Sequence, residues 1–161
     1  GRSDRRCRRF PGRSSARRPR SSRRAERIVS RQIVYYADSS ALVKLFLREP
    51  ESAALVRVVT DAVVATSAIS SIEVARALRA ACADDDLDRE LEDVLSGCTV
   101  VEVEADVIRS AASLAGPRLR SLDALHLASA LRAEADVMIV YDRQLARAAR
   151  SSGLGVESPG A

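Results

Sequence analysis

The sequence predicts an α/β fold, a three-layer α/β/α sandwich around a central parallel β-sheet of four to five strands. Short apolar runs rich in β-branched residues alternate with longer Ala- and Leu-rich segments that follow Ser, Asp or Pro. These residues are common at the starts of helices. Strands that alternate with helices pair in parallel through crossover connections, which place helices on both faces of the sheet.

Five segments have strand character. In chain order they are Ile33–Ala37, Ala62–Thr66, Thr99–Val103, Val137–Val140 and a final stub, Val156–Ser158. The carboxyl ends of parallel strands meet at one edge of the sheet, and the functional site of such folds lies beyond that edge. We therefore expect any functional side chains to follow these strands.

Seven helices are predicted in the intervals. Ser39 or Ser40 caps the first helix, Pro50 opens the second, and Gly116-Pro117 ends the fifth. Serines also begin the third helix, at position 70 or 71, and the sixth, at position 121. The predicted ranges are about 39–48, 51–60, 70–82, 84–95, 106–114, 121–133 and 144–150.

The first 31 residues differ in composition from the rest. They contain thirteen Arg and two acids, whereas residues 32–161 contain thirteen basic and twenty acidic residues. The net charge of the whole chain is +4, but that of residues 32–161 alone is −7. A segment so poor in apolar residues cannot bury a core. Residues 1–31 are predicted to be a disordered Arg/Ser-rich tail, either a nucleic-acid-binding arm or a non-native extension, and residues 32–161 one domain.

Composition excludes several protein classes. Aromatic residues make up 3% of the chain, too few for the stacking platforms of single-strand-binding proteins. Cys7, Cys82 and Cys98 lack zinc-site spacing, and an odd, sparse cysteine count is typical of reduced, cytoplasmic proteins. No apolar run approaches the roughly 18 residues of a membrane span, so no membrane association is expected.

Two further kinds of site are excluded by their motifs. No GxxxxGK segment occurs and Lys44 is the only lysine, which excludes a P-loop. The single histidine, His126, lies on a Leu- and Ala-rich helix. We interpret it as a packed residue or a support for a neighbouring ligand rather than as a zinc ligand. A Ser-His-Asp triad is therefore not expected.

Four carboxylates lie where an apolar run gives way to a new helix. Asp38 and Asp142 directly follow strands, and Glu73 and Asp123 lie in the first turns of helices that can start beside the same edge. Four acids brought together there cannot all stay ionised without a cation. Carboxylates and waters are the natural ligands of Mg²⁺ or Mn²⁺, so the pattern favours metal-assisted phosphodiester hydrolysis.

Each acid also has a purely structural interpretation. Asp38 and Asp142 can cap helices, and an acid at Asp123 is favoured by the helix dipole alone. Glu73 can pair on the surface with Arg76, an interaction worth only about 0.2–0.5 kcal/mol. The case for a metal site therefore depends on the four acids converging.

The segments that carry these acids resemble the PIN-domain ribonucleases, specifically the VapC-type toxins of bacterial toxin–antitoxin pairs. The matching stretches are ADSSALVKL at 37–45, SIEVARAL at 71–78, LRSLDALHLA at 119–128 and YDRQLA at 141–146. The resemblance extends from about residue 33 to residue 159. It implies a PIN-like nuclease domain at 32–161 and a metal-dependent endoribonuclease activity.

The resemblance also assigns roles to individual residues. It implies that Asp38, Glu73, Asp123 and Asp142 form a catalytic quartet that binds Mg²⁺ or Mn²⁺, with Asp38 and Asp123 most directly tied to the ion. One departure is Val140, because the family often has Thr or Ser two residues before the last acid. A hydroxyl that could steady the metal's water shell is missing there.

Partners follow from the same resemblance. Arg118 and Arg120 are candidates to hold flanking phosphates of the RNA, although solvated loop arginines are an equal alternative. The family implies a homodimer, a cognate VapB-like antitoxin and a cytoplasmic location, without membrane association. The apolar helix faces near 42–55 are a candidate antitoxin contact, with core packing as the default interpretation.

Two alternatives remain. A catalytically weak, PIN-like regulatory binding module is slightly favoured by Val140. A phosphoryl-transfer α/β domain also clusters acids at strand ends. A receiver-like domain of this kind usually needs a lysine on a late strand, and the chain has no lysine after Lys44. A haloacid-dehalogenase-type phosphatase needs a second acid at the position of Ser40.

Overall fold

The computed structural model describes residues 32–47, 49–81, 87–114 and 119–161. The predicted tail 1–31, Arg118 and the Gly116-Pro117 stop lie outside these residues. The described part holds five strands and seven helices in alternation, so the predicted α/β class is confirmed.

The five strands form one parallel sheet in the order β3-β2-β1-β4-β5. Each predicted strand is present, and its bounds differ from the prediction by at most two residues. The strands are β1 Val34–Ala37, β2 Val63–Ser67, β3 Thr99–Val101, β4 Val137–Ile139 and β5 Gly155–Glu157.

All seven predicted helices are present. They are α1 Ser39–Phe46, α2 Ser52–Val59, α3 Ile69–Ala81, α4 Leu87–Ser96, α5 Ala105–Ser113, α6 Ser121–Arg132 and α7 Arg143–Ser151. None of these described helices has the length and hydrophobicity needed to cross a bilayer. The predicted first turn of α4, at 84–86, lies outside the described residues.

The serine cap predicted for α1 is wrong, and the alternative in which Asp38 caps this helix is confirmed. Asp38, rather than Ser39 or Ser40, is the N-cap, because its backbone is extended (φ −73°, ψ 172°) and its carboxylate accepts a hydrogen bond from the Ala41 amide. Ser39 and Ser40 are already helical. A residue directly after a strand keeps the extended backbone that an N-cap requires, so the strand end decides the cap.

Two other predicted serine caps also differ from the structure. α3 begins at Ile69, one residue before the first predicted cap, and Arg120 is the N-cap of α6, whose first helical residue is Ser121. Asp123 lies in the first turn of α6, as predicted, whereas the earlier start of α3 places Glu73 just beyond its first turn.

Side chains of the central strands alternate between two cores. Ala37, Val64 and Ile139 pack against α1 to α4, whereas Tyr36 and Met138 pack against α6 and α7 on the other face. A third cluster joins α5 to α6. Because successive strand residues point to opposite faces, the sheet is covered on both sides and the three-layer sandwich is confirmed.

The apolar faces of α1 and α2 belong to the first core. Leu42 and Leu55 are 1% exposed and Leu45 is 8% exposed. Burial of this extent leaves these side chains no free surface for a partner. Core packing, the default interpretation of this region, is therefore correct.

The chain order of the strands creates a crevice at the carboxyl edge of the sheet. β1 lies between β2 and β4. The connection that leaves β1 therefore leads towards one edge strand of the sheet, and the connection that leaves β4 leads towards the other. The Asp38 amide donates to the Ile139 carbonyl oxygen at 3.4 Å, which ties the end of β1 to the end of β4. Ligand sites of open α/β sheets lie at such a switch point.

Candidate active site

Asp38 is buried at the end of β1. It is 5% exposed, and its Oδ1 accepts hydrogen bonds from the Ala41 amide and the Ser40 hydroxyl, both at 2.8 Å. Burial raises the pKa of its carboxyl despite these hydrogen bonds. Among the described residues no donor contacts Oδ2, so a desolvated carboxylate keeps one oxygen available for a cation.

Glu73 is held from behind by two donors. The Ser39 hydroxyl donates to Glu73 Oε2 at 2.6 Å, and His126 Nε2 lies 2.8 Å from the same oxygen. The hydrogen bond from His126 is the main cause of a lowered Glu73 pKa, and that from Ser39 adds to it. Glu73 is partly buried, as its position in an apolar helix suggested, and it stays ionised.

Tyr36 fixes the orientation of His126. Its hydroxyl lies 2.8 Å from His126 Nδ1 in a buried contact. Burial holds the Tyr36 pKa far above its usual range, so the hydroxyl stays protonated and can donate to Nδ1. The ionised Glu73 carboxylate can only accept, so His126 Nε2 must carry a proton. The proton of the neutral ring then lies on Nε2, from which it is donated to Glu73. We assign this tautomer from the hydrogen-bond pattern.

The contact between Ser39 and His126 does not form a catalytic triad. Ser39 Oγ lies 3.1 Å from His126 Nε2, the same nitrogen that contacts Glu73. A triad needs the acid and the nucleophile on opposite ring nitrogens, and here Tyr36 occupies the other one. The exclusion of a triad stands, although a histidine does reach a serine.

Asp123 and Asp142 form a second pair of acids. Asp142 caps α7, where its Oδ1 accepts the amides of Gln144 and Leu145 at 2.8 and 2.9 Å. Asp123 is half-buried on α6. Burial raises its pKa, and the negative charge of Asp142 raises it further.

His126 links the two pairs electrostatically. Its Nε2 is hydrogen-bonded to Glu73, and a positive charge on the ring, when the imidazole is protonated, lowers the pKa of Asp38 and of Asp123. The structure therefore brings the four predicted acids to one edge. Within the described residues, however, no three His, Cys, Asp or Glu side chains are yet arranged to share one ion.

The donor chemistry fits a divalent cation. The acids are hard oxygen donors, which Mg²⁺ and Mn²⁺ prefer. Mutual repulsion raises the pKa of Asp123, and a negative charge on Glu73 opposes ionisation of Asp38. A cation between the pairs would relieve both effects.

The sequence also singled out Arg118, Arg120 and Val140. Arg120 is exposed, and its charge acts on Asp123. Arg118 lies outside the described residues. Val140 is fully buried in the core beneath α6 and α7, so its methyl groups replace the hydroxyl common in the family. Ser40, whose hydroxyl contacts Asp38, is the nearest observed substitute.

Sequence reasoning missed a buried hydroxyl cluster behind the acids. Thr66 Oγ1 contacts Ser70 Oγ at 2.8 Å and the Ala37 carbonyl oxygen at 2.8 Å, and Ser39 Oγ lies 3.3 Å from Ser70 Oγ. The visible indication was a run of hydroxyl residues at the end of an apolar strand. Such residues are seldom buried unless they are hydrogen-bonded.

Comparison with known proteins identifies the family. The PIN-domain model matches residues 35–151, which is well over half of the chain. The chain belongs to the PIN-domain family. PIN-domain ribonucleases generally depend on a divalent metal.

Close relatives confirm the resemblance to VapC-type members of the PIN family. Ribonucleases VapC35 and VapC46 of Mycobacterium tuberculosis are each 37% identical to the chain, over 132 and 127 residues. These alignments cover 78% and 77% of this chain and 96% of each relative.

Solved structures share the PIN fold at lower identity. A toxin–antitoxin complex from Klebsiella pneumoniae has a TM-score of 0.61 at 19% identity and covers 78% of this chain and 97% of its own. VapBC2 from Rickettsia felis, bound to a DNA fragment from the promoter, has a TM-score of 0.57 at 16% identity and covers 78% and 98%. Identities this low support the fold alone.

Proposed function

We propose that this PIN domain is a metal-dependent endoribonuclease that acts as the toxin of a toxin–antitoxin pair. The observation that carries the proposal is Asp38, a buried carboxylate with a free oxygen at the switch point of the sheet. Glu73 acts on it electrostatically, and Asp123 and Asp142 interact with each other as a second pair. A desolvated carboxylate is costly unless a partner such as a cation compensates its charge, and relatives 37% identical to the chain are named ribonucleases.

Asp38 and Asp123 are the residues we assign to the ion, either Mg²⁺ or Mn²⁺. Both are ionised less readily than an exposed carboxylate, and a cation beside them would restore their charge. Glu73 and Asp142 complete the quartet. A bound divalent cation would supply charge neutralisation of the scissile phosphate and a more acidic water.

The protein's own residues orient the reaction. His126 and Ser39 fix one oxygen of Glu73, which leaves the other to align a water. The proton of the attacking water goes to Glu73 or Asp142, whose carboxylates both reach solvent. Arg120, and Arg118 from its position in the sequence, would hold the flanking phosphates.

The surroundings of the site suggest a protein partner. Clustered carboxylates attract a guanidinium, because an arginine can bind them through paired, charge-assisted hydrogen bonds. We propose a VapB-like antitoxin as the silencing partner, a homodimer as the toxin, and a cytoplasmic location, where the RNA is found. The Klebsiella and Rickettsia structures, described as complexes, support the antitoxin proposal.

Induced expression in a bacterial host tests the toxin function. The wild-type chain should arrest growth, transcript sequencing should reveal new RNA ends at a defined site, and co-expression of the adjacent upstream gene should prevent both. Asp38→Asn is the inactive comparison, and Asp61→Asn, an exposed acid before β2, is the matched control. Growth arrest that persists in Asp38→Asn would contradict the proposal.

A further inference from the structure

An apolar groove opens beside the acidic edge. Its volume is about 490 Å³, and it is lined by Ile69, Ile72, Glu73, Arg76 and Leu122. The volume falls in the range of about 300–1,000 Å³ that is typical of small-ligand sites. Because Glu73 belongs to both, the groove is continuous with the quartet.

Two exposed aliphatic side chains form the walls of this groove. Ile72 is 63% exposed and Leu122 is 48% exposed, although α3 and α6 both have buried positions available for apolar residues. Each directly precedes an acid of the quartet, Glu73 or Asp123. Single exposed apolar residues need no explanation, but a pair that faces one groove at a catalytic edge does.

The chemistry of the groove matches one nucleotide. Two aliphatic walls suit the faces of a planar base, and the exposed Arg76 adds a positive charge suited to a phosphate. The acids at the end of the groove would place the scissile phosphate close by. A base within a duplex is stacked and paired, so only an unpaired base can enter.

We propose that the groove is a subsite for one unpaired nucleobase adjacent to the scissile phosphate. The inference rests on the proposed ribonuclease function and specifies which side chains hold the base beside the scissile phosphate. Ile72 and Leu122 act as specificity-determining residues that hold the base, while the quartet acts on the phosphate.

A combined protein and RNA variant experiment tests the subsite. The probe is a 12-nucleotide single-stranded RNA that contains the mapped cleavage site, together with versions that carry one abasic ribonucleotide at each position. Ile72→Ala or Leu122→Ala should lower kcat/KM on intact RNA about fivefold, which corresponds to partial loss of one apolar contact. One abasic position beside the cut should lower the wild-type value similarly.

The decisive result is the combination of the two changes. At that position, the protein variant and the abasic RNA together should cause no greater loss than either alone, because both remove the same contact. Ile108→Ala, a 52% exposed isoleucine on α5, is the matched control and should change nothing. Losses that multiply at every position, or unchanged kinetics in both groove variants, would overturn the proposal.

Failure of the ribonuclease function would give a different pattern. Anisotropy of the labelled RNA with Asp38→Asn protein measures base-dependent binding without cleavage, and Ile72→Ala in that background should weaken it about fivefold. Cleavage that is absent from the wild-type protein, or insensitive to Asp38→Asn, rejects the ribonuclease function instead.

Light scattering tests whether a second copy of the chain covers the groove. If Ile72→Ala changes the mass of the protein in solution but leaves its RNA binding unchanged, the groove binds a second copy of the chain and the subsite proposal is overturned.

Discussion

Neighbouring acids at the site differ in what surrounds them. Asp38 is buried, and the loss of water around its carboxylate opposes ionisation more than its hydrogen bonds to Ala41 and Ser40 favour it. Glu73 accepts two hydrogen bonds and is held ionised. The two partners of Glu73 lie 34 and 53 positions away in the sequence, and the burial of Asp38 depends on the packing of the whole sheet edge. Sequence reasoning could therefore name the acids but could not assign their environments.

The buried charge of Asp38 predicts a stability change in Asp38→Asn. A carboxyl whose folded pKa lies above its ordinary value of 3.8 stabilises the fold in its protonated form. That stabilisation is complete below the unfolded pKa and is lost as pH rises through the folded pKa. At pH 7 in EDTA the variant should be more stable than wild type by about 1 kcal/mol.

Thermal unfolding from pH 3 to pH 8 in EDTA measures this difference. The gap between variant and wild type should close towards the acidic end, because both side chains are then neutral and can accept the Ala41 amide. An Asp38→Asn protein that is less stable than wild type at pH 7 would contradict the burial argument.

Tyr36→Phe tests the orientation of His126. Without the phenol, His126 Nδ1 loses its hydrogen-bond partner, so the ring is held less firmly in the orientation that donates to Glu73. We expect kcat to fall about tenfold with KM unchanged, since residues that support ligands contribute about 10–100-fold. Tyr35→Phe, half-buried and on the opposite face of β1, is the control. Equal values of kcat and KM in the two variants would show that Tyr36 does not orient His126 for the reaction.

At the scale of elements, the strand ends serve both the fold and the site. The alternation of apolar runs predicted all five strands and seven helices, because it reflects local backbone preferences and burial. The cap of α1 was misassigned, because serine and aspartate compete for the same role and only the backbone at the strand end decides between them. Asp38 and Asp142 therefore act as caps and as candidate ligands.

Substitutions of Asp142 can separate these two roles. Asp142→Asn keeps a capping oxygen, whereas Asp142→Ala loses it and should cost about 1 kcal/mol of stability. Both remove the negative charge that raises the Asp123 pKa, so that pKa should fall in each. Thermal unfolding and a carboxyl titration by NMR measure the two effects. An unchanged Asp123 pKa in both would show that the acids do not interact.

At the scale of the whole molecule, charge is divided between two regions. Residues 32–161 carry a net charge of −7, and the preceding 31 residues carry thirteen Arg. The net negative charge of the domain repels RNA, except where a bound cation or one of the domain's arginines provides a positive charge. Non-specific affinity for RNA should therefore come largely from the first region, while specificity comes from the domain. The sequence alone revealed this division.

Deletion of residues 1–31 tests this division. The described sheet begins at Val34, so the melting temperature should change by less than about 2 °C. RNA affinity at low salt should fall, and the dependence of log K on log salt should become shallower. A large loss of thermal stability would show that the segment belongs to the folded domain.

The central claim is that the four acids hold a divalent cation that makes RNA cleavage possible. The most direct measurement is the rate of RNA cleavage by purified protein in Mg²⁺ or Mn²⁺ and in excess EDTA, for wild type, Asp38→Asn, Asp123→Asn and Asp61→Asn. We predict cleavage by wild type and Asp61→Asn only with metal, and a loss of about a hundredfold or more in the other two variants. Cleavage that persists in EDTA, or that survives both substitutions, would contradict the account.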